Sequence, residues 1–308
     1  FFKQKTAYEI RNCDWSSDVC SSDLSKAALR DPQGGKASGP EKASAAALMS
    51  PVLVFDLETI PDIAGLRRAW DLSEDLSDAR VADMAFERRR EKTGSDFLPL
   101  HMHRIVAIGC LFRSGSKVLR VSCLGEPEDS EKVLIEKFFR IIDDHTPQLV
   151  SWNGSGFDLQ VLHYRGLVNG VQAGRYWEQG EEDRDFRYNN YISRYHARHL
   201  DLMDLLALYN GRANAALDEL ARLCGFPGKL GMDGSQVWPA FQAGELAKIR
   251  AYCETDVANT WLMYCRFQLL RGAWDRERYA SEIALAREAL GSATGEHWRE
   301  FLAAWPDG

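Results

Sequence analysis

The chain has 308 residues, a net charge of −7 and a hydrophobic share of 45%. That share supports a sizeable core and excludes a chain disordered throughout. The acidic balance argues against indiscriminate coating of nucleic acid, yet allows a local basic groove beside an acidic metal site. No stretch reaches the apolar length of a membrane span, so no membrane partner is expected. The seven Cys residues form no CxxC pair, and no His cluster has zinc spacing. Cys110, Cys123, Cys224, Cys253 and Cys265 sit among apolar neighbours and read as reduced, packed thiols of a cytoplasmic protein.

In chain order, residues 1–24, "FFKQKTAYEIRNCDWSSDVCSSDL", follow neither a helical nor an alternating period. Residues 25–48 are rich in Ala, Ser, Gly and Lys and read as a disordered tail. Residues 49–308 read as a single domain, with Met49 a candidate initiator. Val52 to Glu58 is an apolar run ending in acids, the pattern of a strand buried on both faces. Residues 62–92 predict charged helix, with "RRREK" on a solvated face. "RIVAIGCLFR" and "KVLRVSCLG" predict two strands joined at "SGS". An amphipathic helix follows in "PEDSEKVLIEKFFRIIDDH", then a strand in "QLVSWNG" and a helix in "FDLQVLHYRGLV". Residues 171–190 read as an insertion. "HARHLDLMDLLALY" predicts a short strand or turn entering a helix. A further helix in "ALDELARLCGF" is ended by Gly225 and Pro227. One long helix is predicted from about Glu245 to Leu270, and another from about Arg276 to Ala303. The order implies an α/β fold, a mixed sheet flanked by helices, and suits the ribonuclease-H-like class.

Four acids carry the chemistry. In "FDLETIP", Asp56 and Glu58 alternate on a strand and share a face. Two carboxylates beside an apolar run repel each other and are costly to desolvate, and a divalent cation between them removes both problems. An exposed strand end is the alternative. The same spacing recurs at Asp129–Glu131 and Asp275–Glu277, but there at helix starts, where acids favour the helix dipole. Asp158, in "SWNGSGFDLQVL", falls in the first turn of a helix and alone reads equally as a helix-start acid. Tyr252 and Asp256, in "YCETDVANTW", are four apart on a helix and share a face. They could also be a packed Tyr with its hydrogen-bond partner.

Taken together, DxE, N-x-x-x-F-D and Y-x-x-x-D resemble the 3′–5′ exonucleases built on four acids and a Tyr. Within that group the chain is most similar to the predicted exonucleases related to the proofreading domain of family B DNA polymerases. "RYHARHLDLMDLL" and "LCGFPGKLGMDGSQV" extend the likeness, which covers residues 51–270. The resemblance implies a metal-dependent 3′–5′ exonuclease using two divalent cations, Mg²⁺ or Mn²⁺, on the 3′ end of single-stranded or frayed DNA. It would release nucleoside 5′-monophosphates. Asp56 would bridge the two ions, Glu58 and Asp256 would hold one, and Asp158 would serve the other. Tyr252 would orient the attacking water. Glu254, two residues from Tyr252, faces elsewhere.

Asn153, Phe157 and Lys229 are candidate nucleic-acid contacts, although a turn-forming Asn and a solvated loop Lys are the plainer readings. Residues 175–198, "RYWEQGEEDRDFRYNNYISRYHAR", interleave Arg with aromatics. That suits a single strand, or an insertion packed by its own rings. His199 and Asp201 receive no catalytic role. The rivals to a DNA exonuclease are an exoribonuclease on the same acids and a silent single-strand-binding module. "KQKTAYEI" and "DWSSDVCSSDL" resemble a translated sequencing adapter, so residues 1–24 are excluded from fold reasoning. A chain beginning at Met49 is therefore expected to fold and to keep the activity of the full chain. Circular dichroism and a nuclease assay on both chains check this.

Overall fold

The computed structural model describes residues 50–115 and 118–306; the readings of 1–24 and 25–48 lie outside them. Five strands form one mixed sheet: β1 (Val52–Pro61), β2 (His103–Ser114), β3 (Val118–Cys123), β4 (Gln148–Ser151) and β5 (His199–Asp201), in the order β3-β2-β1-β4-β5. β1 pairs antiparallel with β2 and parallel with β4, β2 pairs antiparallel with β3, and β4 pairs parallel with β5. Helices α1 (Ile63–Trp70) and α2 (Asp78–Thr93) stand between β1 and β2, and α3 (Glu131–His145) between β3 and β4. α4 (Asp158–Asn169) and α5 (Gly174–Trp177) follow β4. After β5 come α6 (Leu202–Leu206), α7 (Leu217–Leu223), α8 (Val237–Gln242), α9 (Leu246–Leu270), α10 (Arg276–Ser292) and α11 (Glu296–Ala303). This is the ribonuclease-H-like mixed sheet with flanking helices that the sequence predicts.

The central strand explains the placement of the acids. Paired on both sides, β1 alternates its side chains between two apolar layers. Leu53, Phe55 and Leu57 enter a core with Phe138, Ile142 and Leu162 of α3 and α4. Val52 and Val54 face the other way, into a core with Val257 and Trp261 of α9. The same alternation turns Asp56 and Glu58 toward α9. Just beyond them the register with β2 shifts, Glu58 pairing with Ala107 but Thr59 with Ile105. The extra residue, Val106, packs with Ile60, Val237 and Ile249 of α8 and α9.

α9 is buried around most of its circumference, as a central helix must be. It approaches the sheet at Gly109, the partner of Asp56 in β2. A Cβ there would lie 2.8 Å from Cys253 Sγ and 2.9 Å from the Cys253 carbonyl oxygen, so the helix can be this near only over glycine. Glu254 points away from Asp56 and accepts the Cys123 N–H at 2.7 Å, with His297 Nε2 of α11 3.2 Å from its other oxygen. Arg113 of β2 holds Glu282 of α10 with two bonds of 2.8 Å.

The structure departs from the sequence reading in several helices: the stretch read over 62–92 divides into α1 and α2, and the insertion carries α5. The helix predicted from Arg276 to Ala303 divides into α10 and α11 at Gly295, whose φ of 149° an L side chain rarely adopts. α8 was not predicted; it is short and carries Pro239 in its first turn, where the missing N–H costs nothing. No helix among the described residues is long and apolar enough to cross a membrane, and the described cysteines are free thiols. Gly109→Ala is expected to lower stability by about 1–3 kcal/mol by pushing α9 off the sheet. Urea unfolding of the variant beside the wild type measures it.

Candidate active site

Three chain segments deliver acids to one end of β1. Asp56 and Glu58 are each only 3% exposed. One oxygen of each lies with Cys253 Sγ in a group whose atoms are all within 4.8 Å of one another. The Cys253 thiol receives the Gly109 N–H at 3.1 Å and donates to the Asp56 carbonyl at 3.4 Å. Tyr252 and Asp256 flank it on α9, one turn apart, and both are buried.

Asp158 is the first residue of α4, and its Oδ1 accepts the N–H of Leu57 at 3.0 Å. The third acid is thereby fastened to the residue between the first two. The helix carrying it is held by a buried network. Arg165 donates to Glu131 at 2.7 and 2.6 Å and to Asp62 at 2.6 Å. The turn before it is held by Asp201, which accepts the N–H groups of Asn153 and Ser155 at 2.9 and 2.8 Å. His199 Nε2 meets Ser151 Oγ at 2.8 Å. His199 and Asp201 thus brace the turn.

Lys229 comes from the loop after α7. Its Nζ is 3.7 Å from Asp256 Oδ2 and 5.2 Å from the centre of the Tyr252 ring. Asn259 of α9 clamps that loop, accepting the Gly228 N–H at 3.1 Å and donating to the Gly228 carbonyl at 2.8 Å. A cleft of about 670 Å³ opens over the acids, lined by Glu58, Asp158, Lys229 and the rings of Phe97, Phe157 and Trp238. Phe97 and Phe157 have centroids 5.8 Å apart.

Electrostatics sets the protonation of the phenol. Burial foremost, then the charges of Asp256, Glu58 and Asp56, raise the Tyr252 pKa well above its ordinary value, so the hydroxyl stays protonated. Burial likewise pushes up the Cys253 thiol. The donor set is otherwise carboxylate oxygen in a confined space, the kind a hard divalent cation takes and neutralises. The Asp56 and Glu58 carboxylates, with Cys253 beside them, therefore fit a divalent cation.

A buried carboxylate pair on the central strand of a ribonuclease-H-like sheet thus lies beside a cleft walled by aromatic rings. The chain belongs to the family of predicted 3′–5′ exonucleases related to the exonuclease domain of PolB, which matches residues 95–305. That span holds Asp158, Tyr252 and Asp256, while Asp56 and Glu58 precede it. Among solved structures, the family B DNA polymerase of the hyperthermophilic archaeon Pyrobaculum calidifontis is similar over 70% of this chain and 25% of its own, at 15% identity and a TM-score of 0.37. Comparison with curated proteins gives no match.

The structure brings together Asp56, Glu58, Asp158, Tyr252, Asp256, Lys229 and Phe157. Asn153 is elsewhere: it occupies the turn with φ of 67° and lines a separate depression with Gln160 and Arg194. Residues 175–198 are packed in part by their own aromatics, while Trp177, Tyr188 and Tyr195 are exposed. Tyr176, Phe186 and Tyr191 are buried, and the Arg175 and Arg198 guanidinium groups cover Phe186 at 4.2 and 3.8 Å. The sequence reading missed Phe97, Trp238, Thr59 and His103, which line the cleft from a loop, the short helix α8 and two strands without a shared period. It counted Cys253 only as a packed thiol.

His103 shows how the rim is wired. Its pKa is lowered to about 4, mainly by burial. The neutral ring must donate from Nε2 to the Leu98 carbonyl, 3.1 Å away, so Nδ1 accepts from Thr59 Oγ1 at 2.9 Å. His199 is lowered to about 4 by the same cause. Between about pH 4 and the unfolded value near 6.5, the unfolded chain binds more protons at these rings than the folded one. Their contribution is complete above pH 6.5 and is lost as pH falls toward 4. Urea unfolding through this window should show falling stability, with a shallower pH slope in His103→Gln.

Proposed function

We propose that this chain is a two-metal-dependent 3′–5′ exonuclease that removes nucleoside 5′-monophosphates from single-stranded or frayed DNA. The observation that carries the reading is the meeting of Asp56, Glu58, Asp158 and Asp256 with Tyr252 beneath one cleft, delivered by β1, α4 and α9. Asp56, Glu58 and Asp256 would hold one Mg²⁺ or Mn²⁺, and Asp56 with Asp158 the second. Bound there, the cations supply an acidified water and charge neutralisation at the scissile phosphate and its leaving oxygen.

The chain's own groups do the rest. The Tyr252 hydroxyl, kept protonated, orients the attacking water by hydrogen bonding and does not take its proton. Lys229 brings a positive charge beside Asp256, where it is placed to meet a phosphate oxygen. Phe157 and Phe97 offer ring faces to the terminal base, and the cleft they wall suits an unpaired end. Asn153 supports the turn that carries Phe157 and Asp158. The family's relation to the PolB exonuclease domain favours DNA as the substrate. The reduced thiols suit work in the cytoplasm.

A 5′-labelled oligonucleotide with Mg²⁺ or Mn²⁺ should shorten stepwise from its 3′ end, faster as DNA than as matched RNA, and stop on addition of EDTA. Asp56→Ala should abolish the ladder. Absence of 3′ shortening, or an undiminished ladder in that variant, would sink the reading. Tyr252→Phe should lower kcat by about a hundredfold, the scale of a misplaced nucleophile. Its Mn²⁺ affinity, read by calorimetry, should match the wild type.

A further inference from the structure

The excursion between β1 and β2 carries a charge pattern that the catalytic reading leaves unused. At helical spacing, Arg88, Arg89 and Lys92 of α2 share a side with the buried Ala85. Together with Trp70 they line a depression of about 190 Å³. The Arg88 guanidinium lies over the Trp70 ring, 4.8 Å from its centre. Two neighbouring acids are taken up by other arginines. Arg80 pairs with Glu87 at 3.2 Å and Arg90 with Asp96 at 3.4 Å. Among the described residues, none of Arg88, Arg89 and Lys92 takes part in an ion pair. In a chain of net charge −7, this basic stripe is a local positive feature suited to an anionic partner.

The stripe is continuous with the catalytic cleft. Leu98 lines both the depression and the cleft. Arg89 Nε donates to the carbonyl of Phe97, whose ring walls the cleft, at 2.8 Å. Phe86, from the same helix, reaches the cleft directly. Residues 62–94 lie before the span matched by the family.

We infer that this face of α2 is a basic track for the backbone phosphates of a single nucleic-acid strand, upstream of the 3′ nucleotide held in the cleft. The inference rests on the proposed exonuclease reading for the direction of the strand, and on charge and continuity for the contact. Arg88 and Lys92 each bind a phosphate through charge-assisted hydrogen bonds, while Arg89 fixes the track to the cleft wall.

The test is binding of a 5′-fluorescein oligonucleotide of about a dozen nucleotides, within the usual single-strand site sizes, to the full chain in EDTA across a salt series. Loss of two phosphate contacts in the double variant Arg88→Gln, Lys92→Gln should flatten the slope of log affinity against log salt by about 1.4. Binding of a dinucleotide should be unchanged, because it does not reach beyond the cleft. The charge-conserving pair Arg88→Lys, Lys92→Arg should restore the slope. No binding by the wild type, an unaltered slope, or an equal loss for the dinucleotide would overturn the track. Hydrolysis assayed on the same proteins separates the two ideas. A changed slope without any wild-type hydrolysis sinks the exonuclease reading alone, whereas hydrolysis with an unaltered slope sinks the track alone.

Discussion

Helix α9 comes down on the sheet at Gly109, where no side chain intervenes, and the contents of the cleft depend on that approach. It brings Tyr252, Cys253 and Asp256 to the strand that carries Asp56 and Glu58. The arrangement is costly, because like charges are gathered where little water reaches them. Polar anchors hold it in place. Glu254 takes the Cys123 N–H, and Arg250 reaches the carbonyls of Cys123 and Leu124. Lys229 lies beside the most deeply buried acid. A cation in the acid group would offset most of the remaining repulsion, so binding and folding pull in the same direction here.

The opposite wall is governed by α4, and its rigidity has a different source. Arg165 ties the helix to α3 through Glu131 and to the end of β1 through Asp62. Glu131 also accepts the Ile105 N–H at 2.7 Å, which brings β2 into the same network. Removing one member of such a buried group leaves an uncompensated charge and typically costs about 3–5 kcal/mol. Asp201 restrains the other end of the segment, at the turn. Asp158 thus hangs between two anchors on the backbone of β1.

Much of this was legible in the sequence, and what was not has physical reasons. Alternation along Val52–Glu58 placed both acids on one face, and the four-residue spacing put Tyr252 and Asp256 together. The repeated DxE pairs were rightly set apart as helix starts: Asp275 caps α10 through the Arg278 N–H, and Glu131 begins α3. Periodicity could not reveal α8, whose six residues are too few to show a face. Nor could it divide α10 from α11, because the break depends on one backbone angle. The interleaved Arg and aromatic residues of 175–198 were ambiguous for another reason. Rings covered by guanidinium groups suit an insertion packed on itself as well as a strand-binding surface, and only burial tells them apart. Phe97 and Trp238 stand alone in sequence and acquire meaning only when folding brings them to one rim.

The excursion carrying α1 and α2 leaves the sheet at Asp62 and returns at Met102, and the Asp62 N–H donates to the Met102 carbonyl at 2.9 Å. The two ends of about forty residues are therefore pinned to one point at the margin of the sheet. β1 and β2 are zipped together up to that point, and His103 links the returning segment at Leu98 to Thr59 of β1. Such a closed stem lets the excursion grow, shrink or change its surface while the acids on β1 keep their register, since lengthening an already closed loop costs little entropy. The outer surface of α2 can thus vary while Phe97 and Leu98, at the excursion's return, remain part of the cleft wall.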